Sequence, residues 1–182
     1  MEYPLSAAQR RLWFLEKYTP GQRPYHIVCA YHLVGPLDIA ALRRALESLT
    51  RRHESLRARF PETAGQASQT FDGPGIELVV HDAATGSSVG GVDAQGVLHA
   101  PPVILDLATG PLGRIDLTPM PGNQALLVLT LHHIIADGWS LGVFFHDLSE
   151  LAAGRPLAPL SCQPLDIAAH ANLVTLWSFI VF

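Results

Sequence analysis

The chain of 182 residues is 48% hydrophobic and 15% charged, which supplies apolar side chains for a folded core and excludes the composition of a disordered tail. Its formal net charge is −4 and its 12 Lys and Arg are dispersed rather than clustered, which argues against a phosphate-tracking surface and so against a nucleic-acid partner. Cys29 and Cys162 form neither a CxxC pair nor a disulfide framework, and Met1-Glu2-Tyr3-Pro4 opens no leader-like run, so a cytoplasmic location is expected.

In chain order, Ser6 followed by Gln9 before an aromatic and aliphatic run predicts a capping box and a first helix from about Ala7 to Tyr18. Tyr25 to Val34, rich in β-branched and aromatic residues and closed by Gly35-Pro36, reads as a strand. Asp38 can cap a second helix whose apolar face is Leu42, Ala45, Leu46 and Leu49. Leu56, Ala58 and Phe60 alternate with Arg57 and Arg59, as in a strand with both arginines on one solvated face. Short strands are expected at Gln66–Thr70 and Ile76–His81, a loop over Ala83–Gly96, and an edge strand over Pro111–Leu117. After the turn at Pro119–Asn123, the nearly continuous apolar run Ala125–Leu131 predicts a strand covered on both faces. Leu141, Phe144, Phe145, Leu148 and Leu151 then share one face of a helix over Ser140–Ala153, with Gly154 placed to end it. Alternating helices and strands make the class α/β. The terminal run Leu173–Phe182 is apolar but too short for a membrane span, which needs about 20 such residues.

Chemistry concentrates in His132-His133-Ile134-Ile135-Ala136-Asp137-Gly138, where the buried strand ends and the last helix begins. Consecutive strand residues face opposite ways, so one histidine can address a pocket while the other packs. Gly138 would permit a positive-φ turn into the helix. The free amides of Gly138, Trp139 and Ser140 at the helix N-terminus would stabilise a developing oxyanion. With no serine or cysteine nucleophile adjacent, direct transfer fits better than a covalent intermediate. Two plainer readings stand beside this: the histidines as ordinary strand-end residues, and Asp137 as a brace for the turn. A metal is not expected, because this spacing lacks the helical HExxH pattern and no further ligand cluster stands out.

Chance alone would give His-His-x-x-x-Asp-Gly in about one chain per thousand of this length. Two further segments precede it in a familiar order. Ser6–Leu15, Arg52–Phe60 and His132–Ser140 resemble the first three motifs of condensation domains of non-ribosomal peptide synthetases, and Gly35–Asp38 and Asp106–Leu112 also resemble that family. The resemblance implies a chloramphenicol-acetyltransferase-like fold, a two-layer sandwich with a mixed β-sheet, of which this chain matches the N-terminal subdomain only. Residues 1–160 would form that subdomain, and 161–182 a divergent apolar tail where the second would begin. It further implies amide-forming condensation between acyl and aminoacyl thioesters held on the phosphopantetheine arms of donor and acceptor peptidyl carrier proteins, with no cofactor bound directly. By the same resemblance His133 is the catalytic residue, His132 its brace, and Asp137, beside Gly138, forms a structural salt bridge with Arg57. The family's helix ahead of Asp106 has no counterpart in the glycine-rich segment around Gly86–Gly91, and the second subdomain is absent. The chain alone is therefore expected to fold marginally and catalyse poorly. The alternatives are an inert fragment of such a domain and an oligomeric acyltransferase in which a neighbouring copy supplies the missing wall.

Overall fold

The structure is a computed structural model, and it describes residues 1–18, 22, 24–82, 91–92, 98–99, 103–164 and 166. Helix formation follows the local signals. Ser6 and Gln9 exchange the hydrogen bonds of a capping box at 2.8 and 3.2 Å, and α1 runs over Ala7–Tyr18, after the short strand β1 (Tyr3–Pro4). The carboxylate of Asp38 accepts the Ala41 amide at 2.9 Å and starts α2 (Ile39–Arg52), which buries Leu42, Ala45, Leu46 and Leu49. A third helix, α3, spans Gly138–Ala152, and Gly154 with φ 71° lies just past its end, in the left-handed conformation a glycine adopts without strain.

The central sheet has the order β2 (His26–Val34), β9 (Gln124–His132), β8 (Gly113–Met120), β5 (Glu77–Val80). β2, β9 and β8 are antiparallel neighbours and β5 joins β8 in parallel, so the sheet is mixed. A second small sheet joins β1 to β4 (Gln66–Gln69) and β3 (Glu62–Thr63), and β6 (Gly91–Val92) pairs with β7 (Leu98–His99). Ile115, Leu117, Leu127, Leu129 and Leu131 of the central sheet share one core with the buried face of α2 and with Phe144 and Leu148 of α3. The ring of Phe145 on α3 stacks 4.5 Å from that of Tyr31 on β2. On the alternate positions of β9, Val128, Thr130 and His132 are also buried. The strand is therefore covered on both faces, as its continuous apolar run predicts.

Two expectations fail. β8 is not an edge strand: it lies inside the sheet between β9 and β5. Its prolines do not obstruct this, because Pro111 precedes the paired segment and β5 ends opposite Leu117, short of Pro119. Nor do residues 56–60 form a strand. Glu54–Arg57 is a 3-10 turn in which the amide N–H groups of Leu56 and Ala58 donate to the carbonyls of His53 and Ser55, with only Arg59 bridging to Thr70. Leu56, Ala58 and Phe60 are all buried nonetheless, so the alternation recorded burial without recording the backbone. Within the expected loop, Gly91–Val92 is extended, while residues 83–90 and 93–97 lie outside the described residues, as does the apolar run 173–182. No helix among the described residues is long and apolar enough to cross a membrane.

Candidate active site

β9 carries two histidines to its end and leaves them in opposite surroundings. The ring of His132 is fully buried and continues the face of β9 that carries Val128 and Thr130. Its Nδ1 accepts the amide N–H of Ile134 at 3.0 Å, and the carbonyl of His132 accepts the amide of Ile135 at 3.1 Å. The ring thus fastens the first turn of the loop that follows the strand. Burial, with the nearby His26 and His133, pushes the His132 pKa down to about 3, so the ring is neutral. A neutral ring whose Nδ1 accepts must carry its proton on Nε2. Nε2 lies 3.5 Å from Oε2 of Glu16 on α1.

His133 is held by its backbone, whose N–H donates to Tyr25 O at 2.7 Å, while its side chain is exposed and, among the described residues, has no hydrogen-bond partner. A ring with both nitrogens free beside a rigid strand end can accept a proton from an incoming group. After the turn, Asp137 accepts the Ser140 amide at 2.8 Å and the Ser140 hydroxyl at 2.7 Å, and the Asp137 amide donates to that hydroxyl at 3.2 Å. This capping box starts α3 at Gly138.

Three expected details change. Asp137 is not paired with Arg57, whose guanidinium donates to the carbonyls of Thr50 and Phe71 at 3.1 and 3.0 Å. The buried ion pair near this motif joins Arg52 to Asp147 of α3 at 3.0 Å, and His53 meets the same carboxylate at 2.8 Å. Arg52 lies at the end of α2, which packs on α3, whereas Arg57 lies in the turn beyond and faces carbonyls. Gly138 has no positive φ; it is the first residue of α3, and a Cβ there would meet nothing within 4 Å. The set of amides expected to meet an oxyanion is also reduced, because the Ser140 amide is taken by Asp137 and the carboxylate already sits on the positive end of the helix. That leaves the amides of Gly138 and Trp139 on an exposed surface, with Trp139 itself 83% exposed.

Sequence reasoning missed Glu16, Arg52 with Asp147, and His53. The usable signal for Asp147 was an acid on the buried stripe of α3 next to Phe144 and Leu148. The structure also brings Glu16, His26 and His132 together, one donor atom of each within 4.8 Å of the others, although no such cluster was legible in the sequence. Its chemistry does not suit a metal: with Nδ1 engaged as an acceptor, His132 presents an N–H, not a lone pair, to the cluster.

The family profile described as the condensation domain matches residues 1–165, and the chain belongs to that family. It is 40% identical over 185 residues to a linear gramicidin synthase from Brevibacillus parabrevis, covering 91% of this chain and 2% of that protein. The solved X-domain in the complex of the X-domain and OxyB from teicoplanin biosynthesis aligns with a TM-score of 0.74 at 32% identity, covering 94% of this chain and 38% of that one. The starter condensation domain of rhizomide synthetase RzmA aligns with a TM-score of 0.76 at 20% identity, covering 94% and 45%. The fold is thus the chloramphenicol-acetyltransferase-like fold of condensation domains, with one subdomain present, and the chain spans under half the length of these solved domains.

Proposed function

We propose that this chain forms the N-terminal half of a domain that makes amide bonds between carrier-bound thioesters in non-ribosomal peptide synthesis. The observation that carries the reading is the exposed ring of His133, without a hydrogen-bond partner among the described residues, beside a turn fastened by the buried His132. In this reading the amine nitrogen of an acceptor, borne on the phosphopantetheine arm of one peptidyl carrier protein, attacks the thioester carbonyl of a donor borne on another. The C–N bond forms, His133 takes the proton from nitrogen as the tetrahedral intermediate collapses, the C–S bond breaks, and the proton passes to the departing thiolate. No cofactor is bound directly; the arms bring the reactive groups.

Magnitudes place the burden on positioning. An α-amine with an ordinary pKa near 8 is already partly neutral at cellular pH, so a strong base is not needed. General-base help contributes roughly 10²–10⁴-fold, whereas aligning two tethered reactants supplies roughly 7–11 kcal/mol of barrier. Half of the tunnel that would align them belongs to a second subdomain, beginning near residue 161. The exposed Trp139 and the open surface at Gly138 suit a wall completed from outside the chain. Cytoplasmic location accords with carrier-bound chemistry.

The test joins the chain to the C-terminal half of a condensation domain and follows single-turnover product from defined donor and acceptor thioesters. His133→Ala is expected to lower the rate by roughly 10²–10⁴-fold. An unchanged rate removes His133 from the chemistry. The 182-residue chain alone is expected to give little product; robust turnover by it, together with a defined oligomer on sizing, would favour a self-completing acyltransferase.

A further inference from the structure

We infer that Glu16 is a positioning residue for this reaction: its carboxylate accepts a hydrogen bond from the Nε2–H of His132 and, through that ring, holds the loop that presents His133. The inference rests on the condensation reading for its kinetic consequence, although the Glu16–His132 contact stands without it.

Glu16 occupies the last turn of α1, where the negative end of the helix dipole disfavours a carboxylate. Burial raises its pKa, so its charged form also loses hydration. A helix surface offers acids cheaper places than this. The adjacent Lys17 does not compensate it, since that ammonium pairs with Glu62 and lies over the Trp13 ring. What Glu16 does face is the one polar atom of His132 left unused. Oε2 of Glu16 and Nε2 of His132 are both buried, 3.5 Å apart, and among the described residues neither has a hydrogen-bond partner. An unpaired N–H and an unpaired carboxylate oxygen, each shut away from water, are costly apart and become cheap on closing a few tenths of an ångström. His26, the cross-strand partner of His132, packs edge-on at 5.7 Å between ring centroids and closes the ring in from the side.

The chain of contacts has a direction. Glu16 keeps the proton on Nε2; that keeps Nδ1 free to accept the Ile134 amide; and that bond fixes the turn directly after His133. Without an acceptor at position 16, the ring gains by rotating or by moving its proton to Nδ1, and either change releases Ile134. His133 would then sit on a looser loop, and misplacement by about 1 Å can cost on the order of 100-fold in rate. α1 thereby becomes part of the active site without touching substrate.

The experiment pairs Glu16→Gln, which keeps an acceptor oxygen, with Glu16→Leu, which removes it. Long-range proton–nitrogen spectra of the histidine-labelled chain read the His132 tautomer, and the single-turnover assay described above reads the rate. In the wild type, His132 should show a protonated Nε2 and an unprotonated Nδ1, unchanged from pH 7 to about 4.5. Glu16→Leu should alter that signature and slow condensation by roughly 10–100-fold with the acceptor KM little changed. Glu16→Gln should restore the signature and most of the rate. An unaltered His132 signature and rate in Glu16→Leu would overturn the inference, as would damage by Glu16→Gln equal to that by Glu16→Leu. Stoichiometric zinc that shifts His26 and His132 together would also overturn it, making the cluster a metal centre instead. Absence of condensation in the wild type would count against the proposed function only, because the spectra still decide the contact.

Discussion

The buried ring of His132 accepts the amide of Ile134 at 3.0 Å, so the first histidine of the pair is a fastening for the loop on which the second is displayed. The arrangement separates two demands that one imidazole could not meet. His132 is neutral and enclosed, which suits a fixed acceptor, while His133 is exposed and, among the described residues, without a hydrogen-bond partner at either nitrogen. Replacing His132 by Phe fills the space but leaves the Ile134 amide buried and unsatisfied. A loss of about 1–3 kcal/mol in stability is expected from equilibrium urea unfolding. An unfolding midpoint equal to the wild type would show that the bond carries no weight.

Acid should destabilise the chain earlier than its carboxylates alone would. His132, with a folded pKa near 3, stays neutral in the fold and takes up a proton near pH 6.5 when unfolded, and burial lowers His53 in the same direction. The unfolded state therefore binds more protons below pH 6.5, and stability falls as pH drops through that value. For His132 the loss continues down to about pH 3, at up to about 1.4 kcal/mol per pH unit. Asp147 adds to it at lower pH, since its pKa is lowered in the fold and protonation removes its pairing with His146, His53 and Arg52. Urea midpoints at pH 7, 5.5 and 4.5 should decline in that order; a flat series would contradict the buried-histidine account.

Ion pairing can be assigned by double-mutant cycles. Arg52 and Asp147 should couple by on the order of 1 kcal/mol or more, because either partner alone leaves a largely buried charge. Arg57 and Asp137 share no partner, and their effects should add to within about 0.5 kcal/mol. Strong coupling of the second pair in thermal or urea unfolding would restore the salt bridge that the motif resemblance implies.

Gly138 distinguishes a backbone role from a steric one. Its φ is not positive, and a Cβ would meet nothing within 4 Å, so Gly138→Ala should keep or raise stability, by about 0.4–1 kcal/mol through the unfolded state. Slower condensation by the same variant, with unfolding unimpaired, would mark the glycine as room for substrate. Clear destabilisation would mean that the backbone there needs glycine after all.

Much of the architecture could be read from short stretches of chain. The Ser6–Gln9 and Asp38 caps, the buried face of α2, the doubly covered β9 and the left-handed Gly154 all depend on residues within a turn or two of each other, where spacing alone carries the physics. The paired-histidine loop was legible in the same way, since it sits where an apolar run stops and a helix starts. Partner choice was not. Arg52 finds Asp147 95 residues away only because α2 and α3 lie side by side, and the sequence offered Arg57 as an equally charged candidate. The edge assignment of β8 failed for the same reason, because a strand's neighbours are set by the path of the whole chain. The sequence by itself determined which residues form the elements and where the chemistry gathers. Only the tertiary structure decided which buried polar group meets which, and it set Glu16 of α1 within 3.5 Å of His132 at the end of β9, because polar groups distant in sequence meet only once packing has brought both out of water.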